Sequence, residues 1–453
     1  MHIRPNAYLL AAALPFLAAC GGDDERPSTV VTTQQCATLA ECPISELACQ
    51  RAILEITACV RGDDAPALPK IRSISREQLR VELEAPKAPN AMVDEPDEGA
   101  QRTAASFEQA FGALQLVTRE STLGEAATTE QLAYIAAFYR EDERDITVIS
   151  DTTMNRATAM NALAHEFTHY LQDEAGQLEL ALDRGVSVDE RMARRALIEG
   201  EAVVTSYRAS AQMMGFTARN VRWDTLFFMI ESDIASATNA SKSPLLAALN
   251  QLPYVLASRA LQAAWEVEGR RGVDGFFDQP PLTELDWLSG RTGADPSQAE
   301  PLDCYPPLAP SGFGVAGMDS LGVLGVYALL GTQRAAALSA ASVWRGDALV
   351  VYRAQTGDAV LAVWRLRFRD EGSASRFATS LAPLQLSVTR FGRELAISVS
   401  SDSAQPPIGA EALATCPSVE QLGESSPALA RSMTATHRGG PGSRFQPAAL
   451  PQL

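Results

Sequence analysis

Histidine is scarce in this chain, with four in 453 residues. The scattered serines therefore lack an imidazole to activate them, which argues against a serine hydrolase. Basic residues are also few: 38 lysines and arginines face 55 aspartates and glutamates, for a net charge of −17. Phosphate binding needs a basic face, so no nucleic acid partner is expected, and a solvated acidic surface is the plain reading. There is no internal repeat and no glycine-rich loop of the kind that cradles phosphate. The apolar stretch at residues 7–19 is too short for a stable membrane span.

That stretch is nevertheless informative. Arg4 precedes it and small residues close it, which is the layout of a secretion signal. Its end, Leu17-Ala18-Ala19-Cys20, resembles the lipobox of bacterial lipoproteins. The likeness implies loss of residues 1–20 as a signal peptide, lipidation of Cys20 and membrane attachment through that lipid. Gly21 and Gly22 follow with no aspartate directly next to the cysteine, which favours the outer membrane and an extracytoplasmic place in the cell envelope. Six cysteines remain, an even number that reads as disulfides in an exported chain. Cys36, Cys42, Cys49 and Cys59 lie close together with no interleaved histidine, so a helical hairpin stapled by Cys36–Cys59 and Cys42–Cys49 is expected. Cys304 and Cys416 would then clip the C-terminal part.

A chain of this length exceeds one core. The expected class is α+β: a tether, cysteine hairpin and Pro- and acid-rich linker over 21–100, a mainly helical catalytic unit with a short β-element over 101–300, a small α+β unit over 301–420, and a disordered tail over 421–453. Apolar residues at three- and four-residue spacing predict helices at 103–117 and 128–140. The β-branched run DITVIS, residues 145–150, predicts a strand, and a long helix is expected over 188–214. Farther on, DALVVYR and AVLAVWRLRF predict two strands, EGSASRFATSL a helix, and LQLSVTRFGRELAISVS a second hairpin. Arg345-Gly346-Asp347 spells an adhesion tripeptide but reads as a structural turn.

Two of the four histidines fall in one window, His165-Glu166-Phe167-Thr168-His169, within NALAHEFTHYLQDE. Residues four apart share a helix face, so both imidazoles can reach one metal ion, while Leu163, Phe167 and Leu171 form the core-facing stripe. Glu166 stands one step round, placed to take the proton of a water whose pKa the metal lowers. This H-E-x-x-H arrangement is the signature of zinc-dependent peptidases. A catalytic zinc takes three protein ligands and keeps one position open. His2 belongs to the signal and His437 to the tail, so a carboxylate must be the third. The segment RRALIEGEAVVTSY offers Glu199 or Glu201 on a downstream helix, with Gly200 to let that helix approach the histidine helix closely.

The layout resembles the glutamate-zincins, metallopeptidases in which a glutamate on the next long helix, often followed by glycine, is the third ligand. The resemblance implies Glu199 in that place, with Glu201 the alternative. In order along the chain, AFYREDERDITVIS, AHEFTHYLQDE, LIEGEA, GVDGFFDQPPLTE, VWRGDALVVY and WRLRFRDEGSASRFA are similar to a group of exported bacterial lipoproteins described as zinc metallopeptidases, over roughly residues 101–385. In that group the strand before the histidine helix binds extended substrate by edge pairing, which makes 145–150 the candidate substrate strand. Two departures stand out. Thermolysin-like members carry an aspartate four residues after the ligand glutamate to orient a histidine; here that position is Val203, and Asp173, four residues after His169, is the candidate replacement. The group that stabilises the oxyanion is expected to be a tyrosine, Tyr207 two turns after Glu199 or the more distant Tyr254.

The function so implied is a zinc-dependent extracytoplasmic metallopeptidase acting on a peptide or protein substrate. The competing reading is a non-enzymatic lipoprotein that keeps the same scaffold for binding; hydrolysis of a non-peptide amide uses the same residues.

Overall fold

The computed structural model describes residues 36–84, 98–178, 187–291, 296–403 and 406–417. The expected signal with Cys20, the tether over 21–35, His2, His437 and the tail over 421–453 lie outside them. In chain order the elements are α1 (Leu47–Arg61), β1 (Lys70–Ile74), α2 (Arg76–Glu84), α3 (Glu98–Ala113), α4 (Leu123–Tyr134), β2 (Ala137–Arg140), β3 (Asp145–Ile149), α5 (Arg156–Glu174) and α6 (Val188–Met213). Then come α7 (Trp223–Ala240), α8 (Pro244–Gln251), α9 (Pro253–Leu256), α10 (Ser258–Glu268), α11 (Arg270–Asp278), α12 (Glu284–Leu288), β4 (Phe313–Asp319), α13 (Gly322–Gly331), α14 (Leu338–Ala341), β5 (Trp344–Ala354), β6 (Val360–Phe368), α15 (Glu371–Leu381), β7 (Ser387–Phe391), β8 (Glu394–Ser400) and α16 (Ala410–Leu413). The class is α+β, with two sheets set in a helical body.

The smaller sheet has the order β1-β3-β2. β1 runs parallel to β3, from Lys70 opposite Asp145 to Ile74 opposite Ile149, and β2 runs antiparallel to it on the other side. Three expectations are corrected here. β1 and α2 occupy part of the stretch read as linker. Residues 137–140, read as the end of a helix, form the edge strand β2, because Ile135 turns extended at φ −71°, ψ 130° and pairing with β3 outweighs the helical spacing. And β3, bonded on both sides, has no open edge for a substrate; the outer edges belong to β1 and β2.

Cys36 pairs with Cys59, Cys42 with Cys49, and Cys304 with Cys416. The N-terminal pair staples a single helix to an extended arm and not a helical hairpin. The arm is held along the end of α6, where Leu39 N–H donates to Met213 O at 2.9 Å and Gln212 donates to Cys36 O at 2.7 Å. Ile53, Leu54 and Ile56 of α1 pack in one core with Leu163, Ala164 and Phe167 of α5 and with Ala209 and Met213 of α6. The cysteine-rich segment thus forms one wall of the histidine helix.

The second sheet is antiparallel throughout, in the order β4-β5-β6-β8-β7. Its strands β5 to β8 and the helix α15 are the expected ones, whereas β4 lies in a Gly-rich stretch with no strand signal. Arg345-Gly346-Asp347 lies within β5 at a register shift, not in a turn. The Asp347 carboxylate accepts from Ser320 Oγ, the Leu321 and Gly322 N–H groups and Trp364 Nε1, which ties β5 to the start of α13 and to β6. One apolar core runs from Phe107 and Phe111 of α3 through Leu197 and Val204 of α6 and Leu324 of α13 to Trp344, Trp364 and Ile397 of the sheet. Residues on both sides of the boundary expected at 300 share it.

This core encloses two acids. Asp189, at the start of α6, accepts the Glu284 N–H at 2.9 Å, and Glu284 accepts the Leu324 N–H at 2.6 Å. Burial holds both carboxyls well above the ordinary range, reinforced by the charges of Asp347 and Asp286 at Asp189 and by the charge of Asp189 at Glu284. An acid raised in this way keeps its proton in the folded chain at a pH where the unfolded chain has released it. Its contribution is full below the ordinary carboxyl range, about pH 4, and is lost as pH rises through the folded-state value. Glu284→Gln is therefore expected to flatten the fall in stability as pH rises above the ordinary carboxyl range, about pH 4, read by denaturant unfolding; a slope unchanged or steeper than wild type would contradict the raised carboxyls.

Candidate metal centre

The histidine helix begins where Asn155 accepts the Thr158 N–H at 2.8 Å, and α6 begins where Ser187 accepts the Glu190 N–H at 3.2 Å. The two helices pack along their lengths. On α5, four-residue spacing puts His165 and His169 side by side, their rings edge to face. The facing residue of α6 is Glu199.

The three side chains close a small triangle. His165 Nε2 and His169 Nε2 are 3.1 Å apart, and Glu199 Oε2 lies 3.3 Å from the first and 3.4 Å from the second. Ligands about 2.0–2.1 Å from a tetrahedral zinc stand about 3.3 Å from one another, so the triangle fits that ion. Among the described residues no other group of three metal-ligating side chains converges in this way. The side chains are 12, 13 and 11 % exposed for His165, His169 and Glu199, which leaves one narrow face to solvent.

The charge balance favours a cation. Burial alone would raise the Glu199 pKa, but hydrogen bonds to both histidines and the nearby Arg195 hold it well below the carboxylate range. Burial alone would lower that of His169, yet Glu199 outweighs it and pushes the imidazole up to about 9. A metal ion would take the place of that proton, releasing it on binding.

Glu166 is buried beside the triangle, close enough to feel the charges of His165, His169 and Glu199. Burial raises its carboxyl above the ordinary range, against the pull of His165 and His169, and it accepts the backbone N–H of Tyr139 on β2. Tyr254 stacks on the His165 ring at 5.5 Å between centroids, and its hydroxyl bonds Glu199; burial and then the Glu199 charge lift that phenol well above its usual range.

Other candidates fall elsewhere. Glu201 is fully buried on another side of α6, bonded by Arg61, Arg270 and Gln172, and does not join the triangle. Asp173 accepts from the Tyr139 hydroxyl at 2.6 Å and pairs with Arg144, so it does not orient His169. The residue that meets His169 is Gln172, three residues on, whose Oε1 lies 2.8 Å from His169 Nδ1. Tyr207 points into the apolar core with its hydroxyl unpartnered among the described residues. Among the described residues nothing joins it to the triangle, whereas the Tyr254 hydroxyl bonds Glu199. Val203 is core packing. Gln172 had a signal in its helical spacing; Tyr254, on a separate short helix, had none.

Gly200 serves a different approach from the one expected. A Cβ there would lie 2.9 Å from Ala257 Cβ and 3.1 Å from the Ser258 nitrogen, so the close neighbour is the junction of α9 and α10 and not α5. That junction follows Tyr254 by three residues, and the missing side chain lets the tyrosine reach His165.

A domain of unknown function, DUF8575, matches residues 312–398, a span from β4 into β8 that holds none of the candidate ligands. No curated protein and no solved structure matches the chain. From the packing, Gly200→Ala is expected to cost about 1–3 kcal/mol in unfolding free energy and to displace Tyr254. Full wild-type stability in a denaturant titration would contradict the close approach.

Proposed function

We propose that this chain is a zinc-dependent metallopeptidase of the glutamate-zincin kind, with His165, His169 and Glu199 as ligands. The observation that carries the reading is the triangle of three donor atoms at zinc spacing, with a buried glutamate beside it. Bound zinc supplies Lewis acidity, polarising a substrate carbonyl and lowering the pKa of a water. The remaining chemistry belongs to the chain. Glu166, its proton affinity raised by burial, takes a proton from the attacking water and returns it to the leaving amine. Tyr254 is the oxyanion donor in this reading, since its hydroxyl is at the ligand carboxylate. The open edge of β2 is the place for an extended peptide, because Tyr139 on that strand already turns its N–H toward Glu166.

We place the protein outside the cytoplasm, held to the membrane through a lipid on Cys20. Three disulfides among the described residues support an oxidising compartment.

Metal analysis of the purified chain is expected to give one zinc per molecule. Glu166→Gln should keep that zinc and lose at least about 100-fold in chelator-sensitive cleavage of a peptide library, the low end of general-base contributions. Zinc absent from the wild type, or cleavage undiminished in the variant, would overturn the proposal. Zinc retained with no cleavage by either protein would favour the binding lipoprotein instead.

A further inference from the structure

We infer that Gln172, Glu201 and Arg61 form a relay that fixes which ring nitrogen His169 presents to the metal, which makes the disulfide-bonded helix α1 a working part of the centre. This rests on the metal-centre reading above and assigns the centre's support to residues outside the ligand set.

The relay begins at the ligand. Gln172 Oε1 lies 2.8 Å from His169 Nδ1, while its Nε2 donates to Ile198 O at 3.0 Å and to Glu201 Oε2 at 2.9 Å. Both amide hydrogens are therefore used on acceptors. If the amide flipped, its oxygen would face a carboxylate and a carbonyl, which have no hydrogen to give. The Glu201 charge thus sets the amide's orientation, and an amide oxygen can only accept. His169 must carry a proton on Nδ1, which leaves the Nε2 lone pair for a cation.

Glu201 can perform this task only as an anion, and it is completely buried. An isolated charge there would be untenable, so its counterions matter. Arg270 donates to Oε1 at 2.5 Å. Arg61 spans both oxygens, Nε to Oε1 at 2.8 Å and Nη2 to Oε2 at 3.3 Å. Nη1 donates to Asp63 and Nη2 also donates to Gln177, so every nitrogen of the guanidinium has an acceptor although the side chain is wholly buried. Arg61 is the last residue of α1 and stands two residues after Cys59, which is bonded to Cys36. The cysteine-rich segment thereby delivers a fork-shaped cation into the interior behind the histidines. A point-like ammonium cannot bridge two carboxylate oxygens in that geometry. It follows that cleavage to remove α1, or reduction of the Cys36–Cys59 bridge, loosens the metal site, and that α1 is not a detachable inhibitory segment.

The test uses the full chain. Zinc affinity is measured by chelator competition, the absorption spectrum is recorded with cobalt(II) in place of zinc, and metal-free stability is followed by denaturant unfolding. Glu201→Gln, Gln172→Met and Arg61→Lys are each expected to weaken zinc binding, the first two by about 10–100-fold, and to alter the cobalt spectrum. In the Gln172→Met background, adding Glu201→Gln or Arg61→Lys should weaken zinc no further, although the losses in metal-free stability still accumulate. A merely structural role would give the stability losses without this non-additive pattern in affinity. Unchanged affinity in the folded single variants, or affinity losses that add in the double variants, would overturn the relay. Wild-type affinity in Arg61→Lys would overturn the part given to α1. A wild-type chain that binds no zinc would refute the metal-centre reading itself, an outcome distinct from these.

Discussion

The contact on which the structure turns is the lengthwise packing of α5 against α6. Each helix by itself presents ordinary polar residues. Brought together, they place two imidazoles and a carboxylate at mutual distances of 3.1, 3.3 and 3.4 Å, which like-for-like surface groups have no reason to adopt. The other elements serve that juxtaposition. The arm and α1 close one side of the pair, and the α9–α10 junction fits against Gly200 on the other. The small sheet stands beside Glu166 and presents the open edge of β2.

Three buried carboxylates on α6 show how one helix solves the same electrostatic problem in different ways. Burying an anion is prohibitive unless it is neutralised or paired. Asp189 is held toward its protonated form by burial and its acidic neighbours. Glu201 is matched by two guanidinium groups. Glu199 is matched only by imidazoles and a more distant Arg195, at 3.5 Å. Of the three, it is the one whose partners are imidazoles able to bind a metal ion. Of the two glutamates left open on composition, Glu199 is the one that lies against both histidines, while Glu201 faces Arg61 of α1 and Arg270 of α11.

Much of this was legible in the sequence, and the failures have physical causes. The long helices were readable because their apolar spacing persists over many turns, and β5 to β8 because β-branched and aromatic runs are bounded by turn residues. The three cysteine pairings were legible from count and spacing. The edge strand β2 was not, since AFYR carries residues that suit either state and only its partner β3 decides. β1 was hidden between two proline-rich stretches. At the site, His165, Glu166 and His169 announced themselves through fixed spacing along one helix, whereas Glu199 was preferred to Glu201 only through the resemblance to the glutamate-zincins. Gln172 was passed over in favour of the charged Asp173, which Tyr139 and Arg144 engage instead. Tyr254, Arg61 and Arg270 come from distant segments, and no local pattern could assign them to the centre. Tyr207 has the right spacing along α6, but its face of the helix is buried in the apolar core.

The most direct test of a metal centre built by α5 and α6 is anomalous diffraction at the zinc edge, from crystals of the full chain equilibrated with zinc. The expected result is a single strong peak within about 2.0–2.2 Å of His165 Nε2, His169 Nε2 and a Glu199 carboxylate oxygen. A peak at any other set of side chains, or none between these three, would contradict it.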